Sequence, residues 1–512
     1  MALAGMMLGL TAAAASAALI LAHGEYVFSL FLWGGGSLVQ QSWEPTLTVA
    51  ARLAIGAVAA VLLLRPLALF ALGDGARSLG LAVGATRCAA LGVAVWLAAS
   101  VTAEVGVIGF VGLAAPALAH LSGARTLRVR LLAAPAIGAL LLWLTDGLIQ
   151  MFGGERVPAG AATALLGGPV LLWLLPRLRL FEWPSVTARV AVNPRLAKPW
   201  PMLLCLVALG GLALVLALSL GRGAEGWTFA LGDTFGRLLP WRGPRVAVAA
   251  AAGAMLGVAG AILQRLTANP LAGPEILGVG SGAGVGMAVA VFGLDAPRLG
   301  VQLAASAIGA VGALVLVLGF ARRGGLGPER LLLGGIAFGA FGSAVLTAAI
   351  ATGTRQSFDL LRWLSGATND ATPGQAWFAC IAATLALLVV PLAARGLQIL
   401  PLGDATGRSI GLSNGCWRGA LVGFSGLLTA VAALFVGPLS FVGLIAPHLA
   451  RLVGLGSPLA HAFGAAAIGG GLMVVSDWLA RSVAFPYQLP LGLFAALLGG
   501  TYLVWRLSRG AH

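Results

Sequence analysis

Apolar runs of 18 or more residues recur from one end of this 512-residue chain to the other. Each is long enough to cross a hydrocarbon core about 30 Å thick as a helix, and about sixteen spans can be laid out, one of them, near 442–453, shorter. Only helices and closed barrels satisfy their own backbone polar groups in lipid. The runs are continuous and rich in Ala, Leu, Val and Gly, whereas barrel strands alternate in segments of about ten residues. Composition agrees, with 9% charged residues and a mean hydropathy of +0.99, against roughly 25% charged residues in soluble domains. The expected fold class is an all-α polytopic membrane protein.

Several chemistries fall away at once. The only lysine is Lys198, so no Gly-rich phosphate loop ending in Gly-Lys-Ser/Thr exists, and the chain does not itself hydrolyse ATP by that route. The net charge of +15 is spread through short loops rather than gathered on a nucleic-acid-binding domain. Cys88, Cys205, Cys380 and Cys416 stand singly and read as packing residues. No His, Asp or Glu cluster has metal-ligand spacing, and no constellation of acids and bases suggests a membrane enzyme. Neither a metal nor a cofactor is expected. The first 22 residues lack the positive region of a secretory signal, because no Arg or Lys precedes Arg52.

Self-comparison shows two copies of one unit at a shift of roughly 330 residues. GFVGLAAP at 109–116 recurs as SFVGLIAP at 440–447, and Leu72-Gly73-Asp74 recurs as Leu402-Gly403-Asp404. Trp33 matches Trp363, Gly80 matches Gly411, Arg87 matches Arg418 and Asp146 matches Asp477. Nothing in the first copy corresponds to 200–330, so the first copy retains the last six helices of a ten-helix unit. The expected organisation is a shortened first copy at 1–180, a cytoplasmic linker at 181–200 and a complete second copy at 201–512. This predicts an in-frame reading frame upstream of Met1 encoding about four further spans.

Cytoplasmic loops collect Arg and Lys. Arg177, Arg179, Arg189, Arg195 and Lys198 place the linker inside, and both termini then come out cytoplasmic. The loops at 221–244 and 354–375 face outside. Glu104, Asp146, Asp477 and His448 are ionisable residues within or beside spans, where charge is costly. For Asp146 and Asp477 an interhelical hydrogen bond is the preferred reading. Gly253, Gly257 and Gly260, like Gly280, Gly282, Gly284 and Gly286 in the next span, are read as packing faces, since small residues let helices approach closely in lipid.

QRLTANPLAGPEILG at 264–278, SFVGLIAPHLAR at 440–451, Leu402-Gly403-Asp404 and Pro490-Leu491-Gly492 together resemble the permeases of ATP-driven siderophore and cobalamin importers. The likeness covers nearly the whole chain and is strongest to the tandem-fused ferric hydroxamate branch. It implies a permease subunit of an iron(III)-hydroxamate importer in a bacterial inner membrane, with a separate cytoplasmic ATPase dimer and a periplasmic binding protein as partners. By the same resemblance Leu72, Gly73, Asp74 and Gly80, with Leu402, Gly403, Asp404 and Gly411, match ATPase-coupling segments. Arg242, Arg245 and Arg481 match binding-protein docking positions, although Gln150 stands where the first copy would carry the third. Ser343 and Thr347 are the polar candidates for the translocation path. Another siderophore, haem or cobalamin remains an alternative substrate. An ion-coupled secondary transporter, the alternative mechanism, would need more carboxylates near the midplane than this sequence supplies.

Overall fold

The computed structural model describes residues 33–70, 80–152, 158–174, 196–223, 226–269, 272–294, 299–322, 328–402, 404–439 and 441–509, with Gly9, 11–13 and 15–20. Among the described residues, nine helices are long and apolar enough to cross a membrane, and seven further apolar helices are shorter, at 10–17 residues, so nine of the about sixteen expected spans reach membrane-crossing length. The chain divides into two compact units, one of Val27–Leu174 with Ser343–Thr352, the other of Met1–Tyr26, Leu175–Gly342 and Gly353–His512.

The smaller unit contains α1 (Glu44–Leu62), α2 (Leu64–Phe70), α3 (Val83–Val105), α4 (Val111–Leu121), α5 (Leu127–Phe152) and α6 (Ala159–Leu174). Here α1 packs on α3, and α4 on α5. Arg52 of α1 meets Glu104 of α3 at 3.2 Å, so this carboxylate has a counter-ion.

The larger unit opens with α7 (Trp200–Ser219) and the antiparallel hairpin β1 (Leu220–Gly223) and β2 (Gly226–Phe229). It continues through α8 (Asp233–Leu266), α9 (Val279–Ala288), α10 (Leu299–Arg322), α11 (Pro328–Ile350, up to Gly342), α12 (Arg355–Leu364) and α13 (Pro373–Ile399). The short α14 (Asp404–Ser409) precedes α15 (Asn414–Val436), α16 (Val442–Leu452), α17 (Pro458–Ser482) and α18 (Leu491–Arg509). Helix α8 is the centre of this bundle, with 83% of its apolar window buried, against α13, α15, α16 and α17. Its glycines make that possible. A Cβ on Gly253 would collide with the Gly469 carbonyl, one on Gly257 with the Ala465 carbonyl, and one on Gly260 with the Gly443 carbonyl. Gly282 and Gly286 meet carbonyls of α10 in the same way. These stripes are helix-packing faces.

The internal repeat reappears in backbone geometry. Helices α3 and α15 both have 23 residues, and α4 and α16 both have 11. Four glycines in left-handed conformation recur in pairs: Gly36 and Gly366 (φ 80° and 82°), Gly80 and Gly411 (81° and 77°), Gly106 and Gly437 (76° and 73°), and Gly123 and Gly454 (99° and 87°). Their hydrogen bonds recur too. Gly36 N–H donates to Trp33 O at 3.0 Å and Gly366 N–H to Trp363 O at 3.2 Å, while Gly160 and Gly492 donate to Gly35 O and Ser365 O.

Candidate functional site

Polar side chains of the larger unit gather at its two ends. At the hairpin end, the last four carbonyls of α7 have no partner within the helix. The chain supplies all of them: Leu220 N–H takes Leu216 O, Arg481 donates to Ala217 O, and Arg242 donates to Leu218 O at 2.8 Å and to Ser219 O at 3.3 Å. Ala230 N–H adds a second bond to Ser219 O. Cations also suit the negative end of the helix dipole. Trp478 donates its indole N–H to Leu220 O at 2.9 Å and packs against Trp227 of the hairpin.

Asp477 lies beneath this cap, fully buried. Arg245 and Arg481 each approach it at 3.3 Å, and the Thr368 hydroxyl donates to it at 2.5 Å. The other arm of Arg245 donates to Gln488 Oε1 at 2.9 Å. One carboxylate thus ties α8, α17 and the loop after α12 together, and Arg245 extends the tie to the loop before α18. Among the described residues, the matching Asp146 accepts from Gln150, on its own helix, at 2.8 Å. The interhelical bond expected of both aspartates exists for Asp477, whereas the bond recorded for Asp146 is intrahelical. Arg242, Arg245 and Arg481 therefore all have internal partners.

At the opposite end, the buried Gln264 donates to Leu444 O at 3.0 Å and accepts from Arg451 at 2.5 Å. His461, fully buried, donates Nε2–H to Pro447 O at 2.9 Å, which leaves Nδ1 to accept from Arg265 Nε at 3.2 Å. Arg451 Nε lies 3.3 Å from the same ring. The smaller unit repeats the contact with the residues exchanged. His120 matches Arg451, Arg130 matches His461, and Arg130 reaches His120 Nδ1 at 2.8 Å. His120 and Arg130 stand at the repeat's own shift from Arg451 and His461, a signal the sequence carries, whereas nothing in the sequence marks Thr368 or Gln488.

Of the expected coupling residues, Leu72, Gly73, Asp74 and Gly403 lie outside the described residues. Leu402 closes a one-turn 3-10 helix, Asp404 begins α14, and Gly80 and Gly411 hold their matched left-handed conformations. Ser343 is exposed, and the Thr347 hydroxyl donates to Ser343 O at 2.9 Å within α11. Among the described residues no group of three or more His, Cys, Asp and Glu is placed to hold a metal ion.

The profile of the FecCD transport family matches residues 1–177 and 206–509. The chain belongs to this family. It is 42% identical over 514 aligned residues to the iron(3+)-hydroxamate import system permease protein FhuB of Salmonella typhimurium, covering 99% of this chain and 74% of that protein. The FhuB protein of Escherichia coli K12 is also 42% identical, with 77% of its length covered. The chain thus spans about three quarters of these relatives. The vitamin B12 import system permease protein BtuC of Shigella boydii is 37% identical over 60% of this chain and 94% of its own length. A solved metal-chelate type ABC transporter in an inward-facing conformation superposes with a TM-score of 0.55 at 24% identity, covering 61% of this chain and 99% of that one. That likeness places the FecCD chain in the permease fold. Both FhuB relatives are, by name, permease proteins of an import system.

Proposed function

We propose that this chain is the membrane permease subunit of an ATP-driven importer that moves iron(III)-hydroxamate chelates into the bacterial cytoplasm. The observation that carries the reading is the 42% identity to FhuB over 99% of the chain. A cytoplasmic ATPase dimer docks on the two matched segments around Gly80 and Gly411, and a periplasmic binding protein docks at the hairpin end. The recurrence of one backbone conformation in both copies supports paired ATPase contacts. Arg242, Arg245 and Arg481 gather three positive charges around one buried carboxylate, Asp477, which favours an acidic partner there. Ser343 and Thr347 are proposed as polar groups along the path.

The test is uptake of labelled iron(III)-hydroxamate by a permease-deficient strain expressing this chain. Uptake is expected, and it is expected to disappear when the ATPase gene is deleted. Uptake by the purified chain on a proton gradient alone would overturn the ATP-driven reading. Uptake of cobalamin but not of hydroxamates would move the substrate class.

A further inference from the structure

A concave basin of about 690 Å³ opens at the hairpin end of the larger unit. Trp241, Arg245, Arg362, Asn369, Asp370 and Gln488 give it its chemistry. Its volume lies within the roughly 300–1,000 Å³ of small-molecule sites, whereas protein docking rests on broad, flatter patches of about 800 Å² per partner. The basin is built rather than incidental. Buried Asp477 fixes Arg245, and Arg245 donates to Gln488 Oε1, which leaves the amide N–H groups of Gln488 as donors for another partner. Thr368, held by the same carboxylate, anchors the loop that carries Asn369. Among the described residues the basin's one carboxylate, Asp370, pairs with Arg362 at 3.5 Å, and beside this pair stand the amide groups of Asn369 and Gln488 and the exposed indole of Trp241. A chamber of about 250 Å³ shares Arg362, Ala367 and Asp370 with the basin. The indole N–H of Trp363, which lines that chamber, is buried without a partner.

Donors around an aromatic face suit an uncharged, oxygen-rich organic molecule. An iron(III) trihydroxamate fits that description. Its metal charge is cancelled by three hydroxamates, and its periphery presents amide and hydroxamate oxygens on an organic frame. The geometry points to the basin as a reception subsite for the chelate, in which Asn369, Gln488 and Arg362 donate to peripheral oxygens and Trp241 covers an apolar face. Arg245 and Asp477 are positioning residues. This assignment rests on the importer reading above and adds to it a site of substrate selection within the permease.

The test uses the full chain reconstituted in proteoliposomes with its ATPase and binding protein. ATP-driven uptake is followed for two iron(III) hydroxamates, one linear and one cyclic. Asn369→Ala and Gln488→Ala each remove donors to the ligand, so KM is expected to rise about tenfold for the chelate that reaches the residue and less for the other, with Vmax held within about twofold. Asn369→Asp and Gln488→Glu keep the side-chain size but exchange the amide donors for acceptors, and they are expected to give the same rise. Chelate-dependent quenching of tryptophan fluorescence should diminish in Trp241→Phe. Thr384→Val, mid-way along α13 and outside the basin, where the hydroxyl donates to Cys380 O of its own helix, is the reference. Unchanged KM values would overturn the subsite. So would equal rises for both chelates accompanied by weaker affinity for the binding protein, which would make the basin a protein contact. A wild-type assembly that moves neither hydroxamate would instead sink the importer reading itself.

Discussion

Asp477 and Asp146 occupy the same place in the repeat, yet their surroundings give them different energetic weight. Removing the Asp477 carboxylate leaves the Arg245 and Arg481 guanidiniums uncompensated in a buried site, and breaking a buried pair in this way costs about 3–5 kcal/mol. Asp477→Ala should therefore lower the unfolding midpoint of the detergent-solubilised protein far more than Asp146→Ala, which loses one bond to Gln150 worth about 1 kcal/mol. Equal shifts would show that the ion cluster is not what holds the hairpin end together. The arginines of this cluster were legible in the sequence, but their partners were not. Arg242 and Arg481 serve carbonyls of α7, and backbone acceptors carry no residue-type signature. The exchanged His–Arg pairs make a second residue-scale prediction. His120→Arg alone puts two guanidiniums side by side. The double change His120→Arg with Arg130→His reproduces the order found at Arg451 and His461. A double-mutant cycle on unfolding is expected to recover about 0.5–1 kcal/mol of the single-variant loss.

Among the turns that join helices, the paired left-handed glycines separate conformational strain from steric collision. Gly80 and Gly411 have positive φ with open space where a Cβ would stand, so alanine there costs about 1–2 kcal/mol of backbone strain. Gly106 and Gly437 have the same hand of φ, but a Cβ would run into the carbonyls of Trp33 and Trp363. Gly437→Ala and Gly106→Ala should thus destabilise more than Gly411→Ala and Gly80→Ala, in the same rank order in both copies. A reversed order in thermal unfolding would contradict the shared turn geometry. The nine helices of membrane-crossing length were legible because lipid imposes a length on each one. The turns were only half legible. Collinear glycines can be read off the repeat, but glycine in a membrane helix serves close packing as often as a turn, and composition alone does not tell Gly257 from Gly437.

For the whole chain, orientation follows from how charge is distributed between the two ends. Lipid-facing helices carry little of it, and arginines and the single lysine that flank short loops mark the cytoplasmic side. The hairpin end has arginines as well, yet Arg245 and Arg481 share Asp477, Arg362 pairs with Asp370, and Arg242 caps α7. The basic linker joins the opposite end, where Leu196 N–H donates to Gly454 O, near Arg451 and Arg265. The hairpin is therefore expected outside and the linker inside. With the four native cysteines replaced, Thr228→Cys in β2 should react with a membrane-impermeant maleimide in spheroplasts. Leu196→Cys, whose backbone bond to Gly454 survives the change, should react only after lysis. The opposite pattern would invert the protein, move the basin to the cytoplasmic side and make it an exit rather than a reception site.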